Sequence, residues 1–253
     1  MENRRPLIAG NWKMFKTCPE AVETAGRLVE LVTDATDIDI MIAPPFTALS
    51  SVWEVIKTSP VHLGAQNFFW EPEGAYTGEI SASMIKSTGC TYVIIGHSER
   101  RLFYGETDES VNKKIKAATA ANLIPVLCVG ETEKERESKK TFSVLDKQVQ
   151  KGLEGFVSDE LKELVVAYEP VWAIGTGKTA TTDQAQEAHY FLRSLIEKKF
   201  GNVLANSVRI LYGGSVKPGN IAELMAMPDL DGALVGGASL SAETFSEIVH
   251  FQK

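Results

Sequence analysis

Short, almost uninterrupted apolar runs recur along this chain, and each gives way to a turn and then to a stretch of helical period. Eight runs stand out: Leu7 to Gly10, Ile40 to Ala43, His62 to Ala65, Tyr92 to Ile95, Pro125 to Val129, Leu164 to Tyr168, Arg209 to Tyr212 and Gly232 to Val235. Runs lacking polar alternation are what strands buried on both faces look like, because a one-sided strand carries polar residues at every second position. The stretches between them read as amphipathic helices. From Asp183 to Phe200, for example, Ala185, Ala188, Phe191, Leu192 and Leu195 recur at three- and four-residue steps and form one apolar stripe. Thr182 or Asp183 is the expected N-cap of that helix.

Alternating strands and helices imply a parallel sheet, and eight repeats within 253 residues match a closed (β/α)8 barrel better than an open sheet. With no linker or low-complexity stretch to divide it, the chain is expected to be one domain, 1–253. In a parallel barrel the C-terminal ends of all strands meet at one rim, so residues remote in sequence share a site. At those ends stand Asn11 and Lys13, His97, Glu169, Gly213 to Ser215, and Gly236 with Gly237.

Composition narrows the partners. A formal net charge of −7 disfavours nucleic acid, which is held by basic surfaces, and leaves room only for a small, locally bound anion. No apolar run approaches the roughly 20 residues of a membrane-spanning helix, and the run from Leu7 to Gly10 is too brief for an export signal. A soluble chain is expected, with no membrane partner. The cysteines, Cys18, Cys90 and Cys128, are odd in number and widely spaced, so neither a disulfide framework nor a zinc site is indicated. A reducing, cytoplasmic setting follows. The histidines show no metal-ligand spacing, so no metal is expected.

The strand ends carry the candidate chemistry. Glu169 precedes Pro170, which biases it toward an extended backbone, and its neighbours Tyr168, Trp172 and Ile174 would desolvate the carboxylate and raise its pKa toward that of a working base. His97 opens a helix beginning Ser98-Glu99-Arg100-Arg101, where the dipole disfavours the imidazolium and leaves a neutral ring able to polarise a carbonyl. Asn11 and Lys13, two residues apart, share a face if the extended backbone continues through Trp12. The glycine pairs after the seventh and eighth strands suggest a phosphate site built on backbone N–H groups. Taken singly, each has an ordinary reading as well: a solvated strand-end carboxylate, a histidine satisfied in a turn, a surface lysine, two tight turns.

The segment Ile174-Gly175-Thr176-Gly177-Lys178-Thr179 fails as a nucleotide-binding P-loop, because the glycine required five residues before Gly177 is replaced by Trp172. Its small residues suit a mobile lid instead.

Five stretches resemble one family over essentially the whole chain: Ala9-Gly10-Asn11-Trp12-Lys13-Met14, Ile95 to Arg101, Ala167 to Gly177, Tyr212-Gly213-Gly214-Ser215 and Leu234 to Leu240. They look like the signatures of the triosephosphate isomerases. The resemblance implies a TIM barrel that interconverts dihydroxyacetone phosphate and glyceraldehyde 3-phosphate through an enediolate and needs no cofactor. It makes Glu169 the base and His97 the neutral electrophile, with Lys13 and Asn11 on the substrate and Gly175, Ser215, Gly236 and Gly237 on its phosphate. It also implies that the aromatic loop from Gln66 to Ser81, Thr77 included, enters a second copy to make a homodimer. Two other readings remain at this point: a barrel running another sugar-phosphate reaction, such as an epimerase or a Schiff-base aldolase using Lys13, and a catalytically silent scaffold.

Overall fold

The computed structural model describes residues 4–173 and 179–252. Among them eight strands form: β1 (Leu7–Asn11), β2 (Asp39–Ala43), β3 (Val61–Ala65), β4 (Tyr92–Ile95), β5 (Ile124–Val129), β6 (Val165–Tyr168), β7 (Arg209–Tyr212) and β8 (Gly232–Val235). They close in sequence order into a parallel barrel, with β8 pairing back onto β1. The apolar runs foretold these strands to within one residue at either end. The shifts have local causes: Asp39 pairs with Leu7 and so lengthens β2, whereas the Leu164 N–H turns back to the Leu161 carbonyl and stays outside β6.

Why the runs lack polar alternation is visible in the packing. Leu7, Ala9, Met41, Ile94, Val165 and Ala167 belong to a core inside the barrel, while Ile8, Ile40, Ile42, Val166, Tyr168 and Tyr212 face the surrounding helices. Both faces of each strand are therefore dry. Barrel closure depends on Gly232, whose φ of +146° suits glycine and where a Cβ would stand 1.9 Å from the Leu7 carbonyl oxygen.

The long helix runs from Thr182–Phe200 with Thr181 as its N-cap, one residue before the expected position. Thr181 Oγ1 accepts from the Gln184 N–H and Gln184 Oε1 accepts from the Thr181 N–H, a reciprocal box that Thr182 cannot make with Ala185 and for which Asp183 would need Gln186, already engaged with Asp229. Ala185, Ala188, Leu192 and Leu195 are buried as expected, whereas Phe191 is half-buried and packs on Phe142.

The aromatic loop, residues 66–81, divides between two environments. Phe68 is buried in the core of its own barrel, while Phe69 stacks with Trp70 and Tyr76, and Tyr76 and Thr77 are exposed. Gln66 ties its base to the ends of β1 and β2 by donating to the Lys13 and Ala43 carbonyls.

Candidate active site

Five strand ends converge on one cavity of about 270 Å³, lined by Asn11, Lys13, His97 and Glu169 on one side and by residues 213–217, Gly236 and Gly237 on the other. A wider recess of about 480 Å³, bordered by Lys116, Ile124 and Glu163, collects none of these groups.

At the end of β1 the sequence reading needs correction. The chain does not stay extended through Trp12: Lys13 takes a left-handed φ of +51°, and its N–H donates to Asn11 Oδ1 at 3.0 Å. The asparagine thus holds the turn with its own side chain, as short polar residues do. Both side chains still line the cavity, and Lys13 Nζ pairs with Glu99 Oε1 at 2.6 Å.

After β4, Gly96 turns the chain with a φ of +75°, and His97 caps the short helix Ser98–Phe103. The Glu99 N–H donates to His97 Nδ1 at 3.3 Å, so in the neutral ring Nδ1 is the acceptor and the proton sits on Nε2. That Nε2 lies 2.9 Å from Glu169 Oε1.

Glu169 continues the ladder beyond β6 by donating its N–H to the Val129 carbonyl at 2.8 Å. Its side chain is only 2% exposed, and its second oxygen accepts the Ser98 N–H at 2.8 Å. Close backbone approach is what permits this pose. At Gly213, a Cβ would stand 2.9 Å from Glu169 Cγ.

Contact between the two groups reverses the expected titration. Burial alone would raise the Glu169 pKa, but His97, the Ser98 N–H and Lys13 together hold it below the usual carboxylate range. Burial alone would likewise lower His97, yet the carboxylates of Glu169 and Glu99 lift it above the ordinary histidine value. The sequence expectation rested on solvation and a helix end; direct pairing outweighs both in this arrangement.

On the opposite wall, the Ser215 carbonyl accepts from Asn220 Nδ2 and the Lys217 N–H donates to Asn220 Oδ1, which braces the loop after β7. Gly236 caps the short 3-10 helix Gly237–Leu240, held by Ser239 Oγ donating to the Gly236 carbonyl at 2.7 Å. Its leading N–H groups have no partner within the helix. Gly175 and the body of the expected lid, residues 174–178, lie outside the described residues.

Several residues escaped the sequence reading. Ser98 and Glu99 contact the catalytic candidates, and Lys217 lines the cavity. Glu131 is fully buried just beyond β5, where it accepts from Tyr168 Oη, Trp172 Nε1 at 2.9 Å and Arg136 Nη1 at 3.0 Å. Arg136 in turn stacks on Trp172, 4.4 Å from its ring centroid. The available signal was position: a carboxylate directly after the Gly130 that ends an apolar run.

Comparison with known proteins agrees with this geometry. The sequence model of the family described as triosephosphate isomerase matches residues 6–252. The chain is 55% identical over 250 residues to triosephosphate isomerase from Geotalea uraniireducens and 56% identical over 250 residues to that from Endomicrobium trichonymphae, covering 99% of this chain and 100% of each relative. The crystal structure of triosephosphate isomerase from Bartonella henselae superposes with a TM-score of 0.89 at 39% identity, covering 98% of this chain and 99% of the other. Fold, strand-end chemistry and full-length similarity agree: the chain belongs to the triosephosphate isomerase family.

Proposed function

We propose that the cavity at the barrel rim interconverts dihydroxyacetone phosphate and D-glyceraldehyde 3-phosphate, the family's reaction, with Glu169 as the proton shuttle. The observation that carries this assignment is the 2.9 Å contact between His97 Nε2 and Glu169 Oε1 inside a cavity whose far wall is rich in glycine. Glu169 takes a proton from the carbon beside the substrate carbonyl, and an enediolate forms. His97 Nε2–H and the Lys13 ammonium donate to the oxygens that gain charge, and Asn11 holds the turn that aims Lys13. Glu169 then returns the proton to the neighbouring carbon, while the hydroxyl proton on the first substrate oxygen passes to the second, relayed by His97 Nε2 between them, so one proton moves from carbon to carbon and one from oxygen to oxygen. Substrate and product are isomers, so this sequence consumes no redox equivalent and uses no cofactor.

To reach a substrate carbon, the carboxylate has to leave His97 Nε2 and the Ser98 N–H. Those two contacts are among the influences that lower its pKa, so their loss leaves burial dominant and makes Glu169 a stronger base at that moment. Ser215, Gly236 and Gly237 anchor the phosphate, joined by Gly175 and a lid across residues 174–178 that excludes water from the intermediate. A coupled assay with dihydroxyacetone phosphate tests the assignment: Glu169→Gln should lose about 10²- to 10⁴-fold in kcat. Activity within a few-fold of the parent would refute Glu169 as the base.

The active unit in this reading is a homodimer. Met14, Met84, Leu102, Phe103 and Tyr104 are exposed large apolar side chains on the segments that follow β1, β3 and β4, and a second copy that covers them would remove them from water. The loop bearing Thr77 and Tyr76 enters the second copy near Lys13. Light scattering should return twice the 27.7 kDa chain mass, and a monomer mass at micromolar concentration sinks the dimer. Residues 1–253 act as one domain, supported by the family match across 6–252. The cytoplasm is the assigned compartment, on the strength of unpaired thiols at Cys18, Cys90 and Cys128.

A further inference from the structure

His189 takes no part in the chemistry above, yet it is fully buried on the helix Thr182–Phe200, behind the rim. Its ring meets Tyr168 edge-on, with centroids 5.9 Å apart and planes at 89°, and lies 6.4 Å from the ring of Tyr212. Those tyrosines are register partners on β6 and β7. Tyr168 directly precedes Glu169. Tyr212 directly precedes Gly213 and Gly214, and a Cβ at Gly214 would stand 2.2 Å from Tyr212 Oη. One imidazole therefore touches both the ring behind the base and the ring beneath the loop on the opposite wall.

The ring is held from a third side. A carbonyl can only accept, so Nδ1 donates to the Asp229 carbonyl at 3.2 Å, which fixes both ring angle and tautomer. Burial, with Arg193 nearby, drives its pKa down to about 3, so the ring stays neutral across the working range. A group that never ionises there and never reaches the cavity can act on the reaction only through shape.

We propose that His189 is a positioning residue: wedged between Tyr168 and Tyr212, it sets the distance between Glu169 and the loop of residues 213–215 that anchors the substrate. The inference rests on the roles given to Glu169 and that loop under Proposed function. Proton transfer between adjacent carbons demands sub-ångström placement of the base relative to the anchor, and a displacement of about 1 Å costs on the order of 10²-fold. Without the wedge each half of the site keeps its own groups, but their separation drifts.

The test compares His189→Gln and His189→Ala with His189→Phe, which keeps an aromatic wedge but loses the donor to Asp229. All are assayed as folded protein well below their melting temperatures. His189→Gln and His189→Ala should lose about tenfold or more in kcat, with competitive inhibition by inorganic phosphate unchanged within threefold, because the anchor itself is intact. His189→Phe should keep kcat within about threefold while melting earlier. Parental kcat in folded His189→Gln and His189→Ala overturns the wedge, as does a loss in His189→Phe equal to that in His189→Ala. Glu169→Gln run alongside separates the failures: its retained activity condemns the base assignment, whatever the His189 series reports.

Discussion

Gly213→Ala isolates how much the rate depends on the placement of Glu169. The added Cβ would lie 2.9 Å from Glu169 Cγ and 3.1 Å from the Tyr168 carbonyl oxygen, whereas ordinary carbon contacts begin near 3.5 Å and relax by about 4.0 Å. Glu169 Cγ must therefore retreat by roughly 0.6 to 1.1 Å, toward the side where His97 and the Ser98 N–H already hold its oxygens. A base misplaced by that amount loses about 10- to 100-fold in kcat, and the crowding costs about 1–3 kcal/mol, or some 2–10 °C in Tm. Steady-state kinetics with glyceraldehyde 3-phosphate should show the loss in kcat with KM changed by less than about threefold, since Ser215, Gly236 and Gly237, the proposed phosphate contacts, are themselves unchanged. Gly237→Ala is the matched control. A Cβ there meets nothing within 4 Å, so Tm should hold while KM and the inhibition constant of inorganic phosphate rise by about three- to tenfold. The reasoning fails if folded Gly213→Ala keeps kcat within twofold of the parent.

Glu131→Leu leaves the Tyr168 hydroxyl, the Trp172 indole N–H and the Arg136 guanidinium without their shared acceptor, at a cost of about 3–5 kcal/mol in thermal unfolding; a loss under about 1 kcal/mol would show that the cluster is not structural. His189 should also write a pH signature into stability. Its folded pKa of about 3 lies below the usual 6.5, so the unfolded chain binds the proton first and stability falls as pH drops between those values, by up to about 4 kcal/mol. The Tm gap between the parent and His189→Phe should therefore narrow from pH 7 to pH 4, and a constant gap would contradict a neutral buried ring.

What the sequence makes legible is whatever repeats or stands at an end. Val165 to Tyr168 reads as a strand because every position is apolar, and Glu169 reads as a rim residue because it breaks the run. Glu131 follows the same rule after Val129 and Gly130, but a lone carboxylate carries no mark of the three donors that meet it from Tyr168, Arg136 and Trp172. Lys13 shows a different limit: its left-handed turn depends on a hydrogen bond to Asn11 Oδ1 that strand periodicity does not encode. The lowered titration of Glu169 is not legible in the sequence because its sign rests on contacts with His97, the Ser98 N–H and Lys13, the first at 2.9 Å between residues 72 positions apart, 97 against 169. His189 carries no mark in the sequence, because a buried histidine on an apolar stripe looks the same whether it fills space or aligns two strands.

Closure of β8 onto β1 makes the order of synthesis matter. Leu7 pairs with Gly232, so one edge of β1 stays unsatisfied until β8, more than 200 residues later, has been made. The same pairing brings Gly236 and Gly237 alongside Asn11 and Lys13, so the wall that residues 213–217 begin stays incomplete until β8 is in place. A chain that ends before β8 holds Glu169 and His97, the proposed base and electrophile, but only part of the proposed phosphate anchor. Enzymatic activity thus arrives late and abruptly, as a report that the ring has been sealed.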